Sequence, residues 1–426
     1  GAIRSYIMGD RGSNNEPANA TDIAQMKKLV HEAIDAGALG VSTSRVLGHR
    51  AMNGEPVPGT FAAEDELYGL GEALRDAGSG VFELAPAGAD GQDLGNAPKE
   101  MEWMKRLSAT IQRPVTFALL QNETEPSLWK QLLEESLEAT EQGSQCFPQV
   151  AGRPFGLLIG LQTHHAFAKR PTFINIAHLP HNELVEQLKQ SSTRTAILNE
   201  TDTDPDPKIL FDGMSRMIQS MLHRLYPMGE IPDYEPDPTQ SFVSIAETRN
   251  TTPEAVLYDY MLENDGYAMG MMPIFNYVDG NHDVIREMLL HPQAVSGLSD
   301  GGAHCGMICD ASIPTFMLSH WTRDRTRGKK LPLEWIIKKQ TNDTASLYGL
   351  NDRGTLQTGK RADINVIDYN ALTLHGPKMA HDLPAGGRRL LQEATGYDYT
   401  IVAGTITRQF GQDTGQRPGR LIRGAR

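Results

Sequence analysis

The chain has 426 residues, 39% of them apolar and 22% charged, with a formal net charge of −13. That composition supports one large domain with an appendage, or two or three ordinary domains. The acidic balance argues against general nucleic-acid binding, which needs basic patches to displace counterions, and no apolar run approaches the roughly 20 residues of a membrane span.

Three cysteines, Cys146, Cys305 and Cys309, are a poor disulfide framework and suit a reducing cytoplasm. The opening Gly1-Ala2-Ile3-Arg4-Ser5-Tyr6 lacks the layout of a signal peptide and reads like the interior of a larger protein.

The first clear pattern is helix, glycine, strand. Thr21 is placed to cap a helix in which Ile23, Met26, Val30, Ala33 and Ile34 recur at helical spacing, and Gly37 can close it. A short strand, residues 38–43, follows. The second unit is a helix over 62–77, a stop at Gly78 or Gly80, and a strand over 81–85. The third runs from Pro98 to Ile111 and into a strand over 114–120. The fourth starts near Pro126, ends at Gly143 and leads into a strand over 145–150. Helices alternating with short apolar strands imply a parallel sheet with its crossovers outside, either doubly wound or closed as an eight-stranded barrel. No glycine-rich phosphate fingerprint follows the early strands, so a nucleotide-binding sheet loses ground.

Residues 201–208 and 229–240 are acidic, proline-broken loops on either side of a helical stretch from Met214 to Leu225. They mark an insertion over about 200–245, read as a substrate lid or as a packing excursion. The barrel pattern resumes at Pro253, with a strand over 269–275, a helix from Asp283 to Leu290 and a strand over 294–300. Beyond Arg353 the chain turns Gly- and Thr-rich, and runs such as 364–367 and 399–402 predict a small β module. The division is a barrel over 1–350 and a β-sandwich portion over 351–426.

The chemistry concentrates in Gly297-Leu298-Ser299-Asp300-Gly301-Gly302-Ala303-His304. An apolar strand ends in an aspartate with glycines at once behind it. In a parallel barrel, reactive groups stand at the C-terminal strand ends, and glycines there let backbone approach a ligand. Asp300 so placed can hold a metal or take a proton from metal-bound water. Its competing role is a turn cap. His304, in the same loop, can ligate a metal, bind substrate, or cap. Arg45, His49 and Arg50 follow the strand that ends near Ser44, and a guanidinium there can grip a carboxylate bidentately. Glu83 and Glu123, at or after strand ends, are further acidic candidates. His164 and His165 point to opposite faces if they lie in a strand, so each reads as structural. Cys305 and Cys309 read as packing thiols, since no second pair completes a closed zinc site. No Gly-x-Ser-x-Gly elbow supports a serine triad.

The order of motifs after Asp300 is more specific. Leu331 to Thr341 leads to Leu347-Tyr348-Gly349-Leu350, then Asp352-Arg353-Gly354-Thr355-Leu356, then Gly359-Lys360-Arg361-Ala362-Asp363-Ile364. This run resembles the ending shared by the amidohydrolase superfamily, where the chain leaves a (β/α)8 TIM-like barrel and enters a β-sandwich. Residues 37–45 and 417–423 are similar to its N-acyl-D-amino-acid deacylase (D-aminoacylase) branch. The resemblance implies metal-dependent hydrolysis of a C–N amide bond, with metal-bound hydroxide as nucleophile and Asp300 as general base and then acid. It implies a substrate that is an N-acyl amino acid of D configuration, with a hydantoin-like cyclic amide as the neighbouring alternative. It implies a divalent metal, zinc, as one or two ions.

Two departures stand out. The family's opening β-strands, its His-x-His strand and the metal-binding Cys after it have no counterpart, and no His-x-His occurs in the chain. The main metal ligands are therefore expected in an upstream segment or a companion chain, and a homo-oligomer is a further expected partner. The chain purified at this length should aggregate or bind a hydrophobic dye. Second, the middle strands that commonly supply histidines read 117–121 and 145–149, with Gln121 and Gln149 in place of His. Gln121 is then a candidate to face substrate. The substitution also motivates a second class of function: a barrel that has lost hydrolysis and serves as a binding or scaffold protein.

Overall fold

Asn19 starts the first long helix, Ala20–Asp35. Its carboxamide oxygen accepts from the backbone N–H of Thr21 and Asp22, and the Asp22 carboxylate accepts from the N–H of Asn19 at 2.9 Å. This reciprocal capping box displaces the cap two residues upstream of the expected Thr21. The next helix, Glu64–Ala77, ends on Gly78 in the left-handed region at φ 69°, a conformation that costs glycine nothing. The computed structural model describes residues 1–51, 53–206, 209, 211–297, 299 and 304–424.

The helices Ala20–Asp35, Glu64–Ala77, Ala97–Ile111 and Leu128–Glu141 alternate with β1 (Gly40–Ser44), β2 (Val81–Ala85), β3 (Val115–Ala118) and β4 (Cys146–Val150). β1, β2, β3 and β4 pair in order and in parallel, and β8 (Val295–Ser296) joins the far side of β4. This is the wall of the expected α/β barrel, with helices outside. Along each strand, alternate residues turn outward: Phe82 and Leu84, Val115 and Phe117, Cys146 and Val150 all join one apolar core with Leu70, Leu74, Met104, Leu107 and Leu133 of the helices. That alternation is the two-residue period of a strand. At Gly40 the fit is tight, since a Cβ would stand 2.0 Å from the Val81 carbonyl oxygen.

After β4 the chain leaves the wall. β5 (Gly156–Ile159), β6 (Tyr226–Pro227) and β7 (Gly270–Pro273) form an antiparallel sheet in the order β5-β7-β6. The strand expected over 269–275 to continue the barrel is therefore an antiparallel strand of this smaller sheet. Its four residues are all buried, and a short, fully apolar run carries no information about the direction of its neighbours. Helices between these strands, among them His181–Leu188, Ser191–Asn199, Met214–Ser220, Phe242–Arg249 and Pro253–Met261, build a second core around Phe167, Leu184, Ile197, Ile218, Phe242 and Leu257. The helix expected from Met214 to Leu225 stops at Ser220 and gives way to a 3₁₀ turn. The small sheet divides the two cores: Leu158 and Met271 face the first, Leu157, Ile159 and Met272 the second. The described residues of 200–245 lie within this unit.

The helix Asp283–Leu290 returns the chain to β8. The last helical passage runs from Leu333 through a π segment, Lys339–Asp343, to Leu347. The expected β module follows. β9 (Ile364–Ile367), β14 (Tyr397–Val402), β15 (Thr405–Gln409) and β16 (Gln412–Asp413) form an antiparallel sheet. Beside it lie the hairpin of β11 (Lys378–Leu383) with β12 (Gly387–Leu391), and the ladder of β10 (Thr373–Leu374) with β13 (Ala394–Thr395). Among the described residues no helix is long and apolar enough to cross a membrane.

Candidate functional site

Parallel strands deliver their following loops to one end of the wall, and three of the expected substrate-binding residues follow β1 there. Arg45 turns back into the protein. Its Nε lies 3.0 and 2.8 Å from the two Glu100 oxygens, and its Nη1 donates to the Ala62 carbonyl at 2.7 Å. This guanidinium ties β1 to the helix Ala97–Ile111. Arg50 is exposed and donates to the Gly54 carbonyl at 3.3 Å. His49 Nδ1 lies 2.6 Å from the Ser44 hydroxyl. Loss of hydration and then the neighbouring His304 imidazole hold His49 below its ordinary value.

His304 is exposed and adopts a left-handed backbone at φ 58°. Its ring stands 6.0 Å from Phe211, which in turn stands 6.1 Å from His164. The inserted unit thus reaches the mouth through Phe211, between two imidazoles. Asp300, assigned base and metal ligand from sequence, lies outside the described residues.

Gln121, on the loop after β3, is buried. Its backbone N–H donates to Asn276 Oδ1 at 2.7 Å, its Nε2 to Asp279 Oδ2 at 3.1 Å, and its Oε1 accepts from the Val278 N–H at 3.3 Å. The side chain therefore fastens the segment that leads from β7 toward the helix Asp283–Leu290. Glu83 sits on the strand face opposite the helices. Burial pushes its carboxyl up, and a hydrogen bond from Gln149 partly opposes that. Glu123 pairs with Arg224 at 2.6 Å. His165 is buried against Phe173 at 4.5 Å, and burial lowers it to about 3. All three cysteines are free thiols.

Near His49 stand the His304 imidazole and the Asp90 carboxylate, which accepts from the Gly48 N–H at 3.0 Å. With His49 they do not make a three-ligand cage on their own. Among the described residues, the group whose donor atoms converge on one point is Glu235, His282 and His320. No motif announces it: Glu235 and His282 are 47 residues apart, and His282 and His320 are 38 apart. Neither histidine has a second histidine or a cysteine at the three- or four-residue spacing of a metal-binding helix.

The Amidohydrolase family model matches residues 251–408. An uncharacterized protein of Mycobacterium tuberculosis is 26% identical over 451 residues, which takes in 97% of this chain and 68% of that protein. A structure of D-aminoacylase, described for its binuclear metal center, superposes with a TM-score of 0.57 at 19% identity, over 99% of this chain and 69% of the other. N-acyl-D-glutamate deacylase from Bordetella bronchiseptica, complexed with zinc and a phosphonate inhibitor, gives 0.56 at 17% identity, over 99% and 70%. Residues 251–408 thus match an amidohydrolase family model, and the chain has the fold of D-aminoacylase and of N-acyl-D-glutamate deacylase.

Proposed function

We propose that the protein hydrolyses the amide bond of an N-acyl amino acid, of D configuration, at the mouth formed by the loops after β1, β3 and β8. The observation that carries this reading is the parallel wall of β1 to β4 and β8, which sends the chain that follows β1, β3 and β8 toward one end. β8 pairs in parallel with β4, so the loop that follows it shares an end of the wall with the loop after β1. His304 on the one loop lowers His49 on the other. Asp300 falls in the sequence between β8 and His304.

A divalent ion at that end would need ligands beyond His49 and His304, and it would supply a water of pKa about 7. Asp300 would accept the proton of the attacking water and return it to the leaving amine, one group acting as base and then as acid. His304 holds the substrate carbonyl or carboxylate. Arg50, exposed on the loop after β1, meets the substrate carboxylate, since Arg45 is engaged with Glu100. Gln121 positions the 276–279 segment that borders the same end.

In the active protein, Asp300→Asn should lower kcat by about 10²–10⁴-fold with an unchanged melting curve. A loss smaller than tenfold would remove Asp300 from its role. A binding barrel without hydrolysis is favoured by one observation: Gln121 and Gln149 both spend their amides on internal partners. Turnover of any N-acyl-D-amino acid or hydantoin by zinc-loaded protein would exclude that reading.

A further inference from the structure

Three segments meet at Glu235, His282 and His320. Glu235 stands on the loop after β6, His282 caps the helix Asp283–Leu290, and His320 follows the helix Ile313–Ser319. None stands directly after a parallel strand, where the mouth residues lie. The donor atoms form a triangle. His282 Nδ1 is 3.2 Å from His320 Nε2, His320 Nε2 is 3.2 Å from Glu235 Oε2, and His282 Nδ1 is 3.7 Å from Glu235 Oε2. Ligands at 2.0–2.2 Å from a tetrahedral zinc ion stand about 3.4 Å apart. The triangle has those edges.

The surroundings orient each donor inward. His282 is wholly buried, and its Nε2 donates to the Tyr234 carbonyl at 2.8 Å, which leaves the Nδ1 lone pair facing the centre. A metal-bound imidazole is typically fixed through its second nitrogen in this way. His320 is stacked on Phe316 at 4.5 Å and edged by Trp321 at 5.4 Å. Glu235 Oε1 accepts from Arg325 Nη2 at 2.8 Å and from the His282 backbone N–H at 2.7 Å. Its Oε2 takes Arg325 Nε at 3.1 Å and turns its remaining side to the imidazoles. Arg325 also pairs with Asp283 at 2.8 Å. Two carboxylates against one guanidinium leave one negative charge in excess, and this offsets part of the charge of a cation.

We propose that Glu235 Oε2, His282 Nδ1 and His320 Nε2 bind a divalent transition-metal ion of the zinc class, separate from any ion at the barrel mouth. Two imidazoles and one carboxylate suit zinc and its borderline neighbours; magnesium and calcium demand oxygen donors. Three protein donors leave a fourth position for water. His320 is the partly exposed member, so the ion enters from its side. Once bound, it staples the inserted unit's return loop to two helices that flank β8.

The alternative occupant of the triangle is a single proton shared by the three groups. Zinc content separates the two. Purified protein is stripped with chelator, saturated with zinc and desalted, and metal per chain is measured for wild type and His320→Gln. The proposal expects one equivalent fewer in the variant, with a cooperative melt retained. Equal zinc content in both overturns it. If the variant does not fold, anomalous diffraction at the zinc edge from wild-type crystals decides. A peak within bonding distance of all three side chains supports the site, and a bare centre at saturating zinc overturns it.

Discussion

Lys339 is a buried ammonium with unusual surroundings. Its Nζ donates to the carbonyls of Ala294 and of His291, the latter at 3.3 Å, and Asp343 stands 3.9 Å away. Burial outweighs these contacts and lowers the group from 10.5 to about 8. The unfolded chain therefore holds this proton more firmly than the folded one. The penalty on folding is complete below pH 8 and fades as pH rises from 8 toward 10.5. The stability of wild type relative to Lys339→Met should improve by roughly 1–3 kcal/mol between about pH 7 and about pH 10. Paired urea titrations check this, and a pH-independent difference would refute it. Single residues were legible in the sequence where position alone assigns them. His49 and His304 each follow a readable strand of the parallel wall. Glu235, His282 and His320 each follow irregular chain or a helix end, and their meeting depends on tertiary packing that no local spacing records. Arg45 shows the converse. Its place after β1 is readable, but its partner Glu100 lies one helix further on.

At the scale of elements, helices with a glycine stop were read almost to the residue, because a left-handed glycine and an amphipathic face are local facts. Gly78 ends its helix as expected, and Asp283–Leu290, which ends on His291 without a glycine, also has the expected bounds. The small sheet was not readable: β5 is four buried residues, β6 is only two residues of which Tyr226 is buried, and their antiparallel pairing is decided by chain far away. What fastens this excursion is arginine. Arg153 lies 3.8 Å over the Tyr234 ring, Arg325 forks onto Glu235, and Arg327 Nη1 reaches the carbonyls of Glu235, Pro236 and Gly280 within 3.0 Å. Burial pushes the Glu235 carboxyl up, but the His320 and Arg325 hydrogen bonds outweigh it and hold it well below the usual carboxylate range. Removing one partner of a buried pair strands the other charge. In chelated protein, Arg325→Met should cost about 3–5 kcal/mol, and adding Glu235→Gln should recover part of that loss. Denaturant midpoints measure both. A single variant within 1 kcal/mol of wild type, at about the noise of surface substitutions, would show that the pair does not hold the loop.

For the whole molecule, the two cores set the expectation. The barrel core and the core of the inserted unit share a sheet as their partition, with alternate side chains of β5 and β7 committed to opposite sides. Polar fastenings join the two, such as Gln121 to Asn276 and Arg224 to Glu123. A unit with its own core can open in a cooperative step of its own, below the free energy of global unfolding. Phe242 is fully buried in the second core. Phe242→Ala removes about 3–5 kcal/mol of packing. The loss should appear as faster amide exchange over the helices Phe242–Arg249 and Pro253–Met261 and over β6, with the amides of β2 and β3 unchanged. The reasoning is that the barrel strands are held by Phe82, Phe117, Leu107 and Trp103, none of which touches the second core. If β2 and β3 lose protection to the same degree, the two cores melt as one, and the arginine-fastened loop is then part of the barrel's own cooperative unit.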